Sequence, residues 1–244
     1  MPTKLTFFGG VNEIGGNKIL LDDRGTRIFL DFGKSFGARA KYYDWTDKPR
    51  TANGIGDLLS LGLVPDISGI YRPDLLALAG RKKKEDLLVH GLVLSHAHAD
   101  HADYISFLRE EIELYMGETT KRIIEAIEED KKSTIEYEIT SYKERPAERN
   151  DSKVQRKITT FNTEQVKKKK IVIDSIEVEP IHVDHSIPGC YGFIIRTSSK
   201  TIVYTGDLRI HGNNSSLTRD FVDRAAAEKV DVLLTEGTRL SHIL

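Results

Sequence analysis

The sequence has a single cysteine, Cys190, one tryptophan and two methionines among 244 residues. One thiol can form no internal disulfide and cannot supply a cysteine-rich zinc module, so any metal here has to be held by imidazole and carboxylate. No apolar run approaches the roughly 20 residues that a membrane-crossing helix requires. The opening MPTKLTFFGG lacks the charged-then-apolar layout of a secretory signal, which makes the cytoplasm the expected location. Charge of one sign is not in surplus either. Lys and Arg number 36 against 37 Asp and Glu, a net charge of −1, so nucleic-acid binding would have to rest on local patches. What remains is a chain 39% hydrophobic and 30% charged, long enough for one large domain with a buried core.

Histidine is also sparse, at eight residues, yet LVLSHAHADH at 92–101 places three of them and an aspartate within six positions. Helix capping needs no histidines, so this clustering asks for a chemical reason. Other segments end in similarly loaded turns. NKILLDDRGTRIFLDFG reads as a hairpin joined through Asp-Arg-Gly, with Asp31 where its second apolar run stops. IVIDSIEVEPIHVDHS alternates as a strand and ends near His185, and KTIVYTGD ends at Asp207. Four strands thus finish in polar groups, and open α/β architectures gather ligands at such ends.

Periodicity places helices between them. Tyr104, Ile105 and Leu108 share one face of HADYISFLREEIE; Thr119 or Thr120 would cap KRIIEAIEED, with Ile123, Ile124 and Ile127 inward. Thr218 would cap RDFVDRAAAEK, with Phe221, Val222 and Ala225 inward, and VDVLLTEG reads as a last strand. Residues 140–170 read as a solvent-exposed excursion with some strand in KITTF.

In an extended His-x-His the two side chains can point the same way, so His96 and His98 can reach one ion together. Asp100 and His101 follow where the chain turns into a helix and can serve a second ion. Asp207, beside Gly206, is the candidate bridge, and the further imidazole comes from His185 or, three residues earlier, His182. Such an imidazole-rich set with carboxylates suits zinc, and manganese less well. His90, His211 and His242 read as core or surface residues and Cys190 as a packing residue. The basic runs Lys82–Lys84 and Lys167–Lys170 read as solvated surface or as contacts to RNA phosphates.

HAHADH resembles the central motif of the metallo-β-lactamase fold hydrolases, with Asp31 of FLDFG, DHSIPG and TGD similar to further motifs of that family. The nearer resemblance is to ribonuclease J of the β-CASP branch, archaeal forms in particular, through GGVNEIGGN, LVPDISGIYRPD, HSIP and YTGDLRI. It implies an α/β fold, a four-layer αβ/βα sandwich with two mixed β-sheets, over residues 1–235. It implies two zinc ions, one held by His96, His98 and His185, the other by Asp100 and His101, with Asp207 bridging, Asp31 orienting the site and Asp100 helping to orient a metal-activated hydroxide. The implied reaction is hydrolysis of RNA phosphodiesters, exonucleolytic from the 5′ end, endonucleolytic or both. In that family a β-CASP domain follows, so residues 236–244 are expected to begin the crossing into a domain this chain lacks, weakening the second metal site. RNA is the expected partner, no membrane is expected, and full-length members of the family assemble as homo-oligomers in some cases. Rival readings are a hydrolase of thioesters, lactams or small phosphodiesters on the same fold, and an inactive RNA-binding or partner subunit. A flavin-associated di-iron oxidoreductase would want a glutamate where His98 stands.

Overall fold

Apolar residues at every second position of KILLDD and TRIFLDF can be buried on one face only if both segments are extended. They form β2 (Lys18–Asp23) and β3 (Thr26–Phe32), antiparallel about a turn in which Arg24 and Gly25 have φ of 55° and 96°. The computed structural model describes residues 2–44, 47–82, 86, 88–131, 134–146, 153–162 and 170–237. The preceding strand, β1 (Lys4–Phe7), pairs antiparallel with β2. β4 (Gly91–Val93) and β5 (Glu113–Gly117) then add in parallel beyond β3. A small hairpin of β6 (Ser141–Lys143) and β7 (Lys153–Gln155) precedes β8 (Ile158–Phe161), which completes a first sheet of order β1-β2-β3-β4-β5-β8.

The second sheet has the order β13-β12-β11-β10-β9 and comprises β9 (Ile171–Ile173), β10 (Ile176–His182), β11 (Tyr191–Arg196), β12 (Thr201–Tyr204) and β13 (Val232–Leu234). Its pairs are antiparallel except β12 with β13. Both sheets are therefore mixed. Between them Leu21, Ile28, Leu30 and Val93 meet Ile176, Val178, Phe193 and Ile195 in one buried cluster. On the far side of the first sheet Phe29, Leu92 and Leu114 pack under Leu58, Leu75, Tyr104 and Ile124. Behind the second, Ile181, Ile194 and Val203 pack against Phe221. The layers run helix, sheet, sheet, helix, the expected sandwich. No described helix is long and apolar enough to cross a membrane.

The helices depart from expectation in instructive ways. Counting from α1 (Phe36–Ala40), α2 (Gly56–Ser60) and α3 (Pro73–Leu78), the helix expected over HADYISFLREEIE, with Asp100 and His101 at its start, is only α4 (Ala99–Ala102), followed by a 3-10 turn over Asp103–Phe107. Tertiary backbone bonds replace the helical ones: Arg72 N–H donates to Phe107 O and Arg109 N–H to Ile70 O, each at 2.9 Å. Tyr104, Ile105 and Leu108 are nevertheless buried. α5 (Glu118–Asp130) starts ahead of the threonines expected to cap it, and Thr120 Oγ1 instead donates to Gly189 O at 2.7 Å. α6 (Ser215–Ala226) likewise contains Thr218 in its interior, where the hydroxyl donates to Arg209 O and accepts from Asp184 N–H. Val222 is 50% exposed rather than inward. The segment 140–170, expected to be solvated, buries Tyr142, Arg156 and Phe161.

The outer layer behind the second sheet rests on one aromatic side chain. A Cβ at Gly192 would stand 2.7 Å from the Phe221 ring, so the ring lies directly on the strand backbone. Phe221→Ala is expected to cost about 3–5 kcal/mol and Val222→Ala less than about 0.5 kcal/mol, read by denaturant unfolding; equal losses would contradict this packing.

Candidate metal centre

β3 ends in an irregularity that aims its last acidic residue. Lys18 pairs with Phe32 and Ile19 with Leu30, which leaves Asp31 as the extra residue of a bulge, at φ 56°. Aspartate is among the few non-glycine residues that enter this left-handed region. Its carboxylate is fully buried and accepts four hydrogen bonds: from Ser95 N–H and Ser95 Oγ, both at 2.7 Å, from the Tyr204 hydroxyl at 2.6 Å and from His101 Nδ1 at 2.6 Å. Burial and the Asp31 charge raise the Tyr204 phenol well above its ordinary range, so it stays a donor.

These bonds set ring tautomers. His101 donates through Nδ1, which leaves Nε2 for the centre of the site. Ser95 Oγ gives its proton to Asp31 and accepts from His96 Nδ1 at 3.0 Å, which leaves His96 Nε2 free in the same way.

The freed nitrogens converge. His96 Nε2 and His185 Nε2 lie 2.9 and 3.2 Å from His98 Nδ1. A tetrahedral zinc with bonds of about 2.0–2.1 Å holds its nitrogens roughly 3.3 Å apart, so three imidazoles aimed at one point at these spacings fit a cation. Burial lowers the pKa of all three rings; for His96 the neighbouring His101 adds to the effect, and for His98 the Asp100 carboxylate opposes it. Neutral rings are what a metal ion binds.

Asp207 closes the arrangement. Its Oδ2 is 3.5 Å from His185 Nε2 and 3.9 Å from His96 Nε2, while its Oδ1 is 3.3 Å from His101 Nε2. Asp100 Oδ2 lies 3.7 Å from the same His101 nitrogen. Two groups that could hold a metal ion result, His96, His98, His185 and Asp207 in one and Asp100, His101 and Asp207 in the other. The sheet ends bring together every ligand expected from the sequence. His182 stacks on Tyr191 at 4.9 Å and belongs to neither group, so of the two candidates it is His185 that joins. His242 lies outside the described residues.

Backbone contact tightens this rim. A Cβ at Gly33 would fall 1.8 Å from Asp100 O, so only glycine lets the turn after β3 lie against α4. Gly206, at φ 53°, brings the Asp207 turn onto Ser95, where a Cβ would approach the serine Cβ to 2.9 Å. Asp184 accepts from Arg209 Nη2 at 3.0 Å and from Asn214 N–H at 3.2 Å, clamping the loop that carries Asp207 to the one that carries His185. Asn17, Ser95, Tyr204 and Asp184 were not singled out by sequence. Asn17 Nδ2 lies 3.1 Å from His101 Nε2 and ends GGVNEIGGN, a motif visible only as a resemblance.

A family profile described as a beta-lactamase superfamily domain matches residues 65–242, more than half of the chain. The chain belongs to this superfamily, in its metallo-β-lactamase form. Ribonuclease J of Helicobacter pylori (strain ATCC 700392 / 26695) is 25% identical over 98% of this chain and 28% of its own length. Ribonuclease J of Mycolicibacterium smegmatis is 24% identical over 98% of this chain and 34% of its own. The chain thus spans about a third of the length of these relatives. Among solved structures, a protein of unknown function from Enterococcus faecalis V583 is 30% identical with a TM-score of 0.75 over 98% of this chain and 51% of that one. YhfI from Bacillus subtilis, a metallo-beta-lactamase fold protein, is 15% identical with a TM-score of 0.53, covering 95% and 69% of the two chains, and shares the fold.

The two halves of this metallo-β-lactamase centre differ in charge. Burial works against a charge on His101, but Asp31 and Asp207 outweigh it and raise its pKa to about 10. At pH 8 the metal-free ring therefore carries a proton that an ion in the Asp100 group must displace. Binding there is expected to strengthen with pH below about 10 and to release about one proton per chain, read by calorimetry in buffers of different ionisation enthalpy. In Asp31→Asn the release at pH 8 should fall; an unchanged release would place the proton elsewhere.

Proposed function

We propose that this chain carries the metal centre of a zinc-dependent ribonuclease acting on RNA phosphodiesters. The observation that carries the reading is the division of Asp207, one oxygen towards His96 and His185 and the other towards His101. A carboxylate so placed suits two cations a few ångströms apart, as phosphoester hydrolysis commonly uses. Zinc fits the donor set best, with manganese as a second choice. In the proposal His96, His98 and His185 would hold one ion and Asp100 and His101 the other, Asp207 would serve both, and Asp31 orients His101 directly and His96 through Ser95. Divalent ions there would acidify a water and neutralise charge on the phosphoryl group.

The chain's own residues do the rest. Asp100 would help to orient the attacking hydroxide. Ser95 and Asp31 keep two imidazoles in the tautomer that offers Nε2. RNA as substrate is supported by the ribonuclease J relatives, whose similarity runs along nearly the whole chain. We place residues 1–235 in the metal-binding domain, and the chain corresponds to about a third of the length of those relatives. Of the basic runs proposed to touch RNA, Lys83, Lys84 and Lys167–Lys169 lie outside the described residues.

Zinc titration followed by an assay on 5′-monophosphorylated RNA tests the reading. Metal-dependent cleavage is expected, and Asp207→Ala should abolish it together with the second equivalent of bound zinc. Asp31→Ala should weaken metal binding about 10–100-fold. Cleavage of thioester or lactam substrates with none of RNA would overturn the substrate assignment and leave the metal centre standing.

A further inference from the structure

A buried lysine lies beside the metal rim and belongs to neither His/Asp group. Lys18 opens β2 and is 1% exposed, yet among the described residues it makes no ion pair. Its Nζ instead donates to Gly16 O and to Gly33 O, each at 2.9 Å, and stands 5.5 Å from the centre of the buried Tyr104 ring. Burial lowers its pKa to about 8, against a smaller opposing effect of the Glu13 charge, so at neutral pH the group is an ammonium with three donors. A buried charge without a counter-ion is strongly disfavoured unless something replaces its hydration. Two carbonyls and a ring face do so here.

Both carbonyls belong to turns on which Asp100 rests. A Cβ at Gly15 would fall 2.5 Å from Asp100 Cβ, and one at Gly33 would fall 1.8 Å from Asp100 O. Asn17 N–H donates to the same Asp100 O at 3.1 Å, Gly33 N–H to Asn17 O at 2.9 Å and Lys34 N–H to Ala99 O at 3.0 Å. The turn before β2 and the turn after β3 thus hold the start of α4 between them, and the Lys18 side chain ties one turn to the other. Tyr104 comes three residues after His101, so the ammonium also reaches the segment beyond α4. The outer end of the first turn is fixed separately, by Glu13, which accepts from Gly10 N–H at 3.0 Å and from Ser35 Oγ.

We propose that Lys18 is a positioning residue for the Asp100, His101 and Asp207 group: by bridging the two turns it sets where the Asp100 carboxylate stands. The inference rests on the reading of that group as a cation site. Without the ammonium, two buried carbonyls lose a donor and the turns are free to part. Asp100 would move with them. His96, His98 and His185 touch neither turn through Lys18 and would stay in place.

The test is zinc calorimetry on the full chain, beside amide hydrogen exchange measured in chelator. The second, weaker equivalent is assigned to the group with three ligands rather than four. In Lys18→Met that equivalent is expected to lose about 10–100-fold in affinity, with the tighter one unchanged. Exchange should quicken about tenfold or more at the Asn17 and Gly33 amides and stay native at Ser95, which bonds Asp31. Arg72→Met removes another fully buried cation, one held by Asp74 and Glu138 in the outer layer, and should lower the melting temperature while leaving both equivalents as they were. Where Lys18→Met does not fold, Lys18→Gln, which keeps a shorter donor, should show the same selective changes at smaller size. An unchanged second equivalent, equal losses in both equivalents, unchanged exchange at Asn17 and Gly33, or the same selective loss in Arg72→Met would each overturn the proposal. A native chain that binds one zinc equivalent overturns the two-ion reading instead; quickened exchange in Lys18→Met then upholds the tie between the turns, and unchanged exchange removes that as well.

Discussion

A single buried carboxylate holds the rim of this molecule together. Asp31 leaves the first sheet at a bulge and takes hydrogen bonds from the loop after β4, from the start of the α4 segment and from Tyr204 on the second sheet. An unpaired charge at zero exposure would be strongly disfavoured, and four donors including one cationic imidazole are what make it tolerable. The same donors lie on the elements that carry His96, His101 and Asp207. Burying the charge and aligning the ligands are thus one event, and neither sheet can slide on the other without stranding the carboxylate.

The consequence reaches the ring nitrogens. Imidazole has two, and a site built from three or four rings has many wrong combinations of donor and acceptor. Asp31 removes that freedom for His101 directly and for His96 through the Ser95 hydroxyl. His98 and His185 are set by position instead: one stands in extended backbone two residues after His96, and the other follows the Asp184–Arg209 clamp. Orientation therefore comes by hydrogen bond on one side of the centre and by loop geometry on the other.

Much of this was legible in the sequence, because ligand identity is local chemistry. HAHADH marks a candidate cation site by residue type and spacing alone, and DHS and TGD stand at the ends of alternating runs. The strands were readable for a related reason: period-two alternation survives into a buried sheet. What stayed hidden was decided by distant partners. Nothing local in HADYISFLREEIE indicates that the 69–72 backbone will capture Phe107 and Arg109 and cut the helix to one turn. Thr120 and Thr218 looked like caps because both stand near helix starts, yet the first hydroxyl serves a carbonyl across the fold and the second one in the loop before its own helix. Ser95 and Tyr204 gave no signal either, since a serine after a strand and a tyrosine within one are ordinary residues.

The charges of the site also explain how so many like groups can be packed together. Burial keeps His96, His98 and His185 neutral, so they can converge without mutual repulsion. Asp31, Asp100 and Asp207 would otherwise leave the other half strongly negative. The raised pKa of His101 supplies the missing positive charge, and the ring sits between the two carboxylates, with Nδ1–H donating to Asp31 and the added proton on Nε2 facing Asp207. Against burial, that same imidazolium holds Asp207 below its ordinary carboxylate range. His101 thus serves as the folded chain's own counter-ion. In the proposed site a divalent cation entering this half would exchange for that proton, so the fold need not be rebuilt around the ion; only the charge carrier would change, while Asp31 would keep the ring in the orientation that both states require.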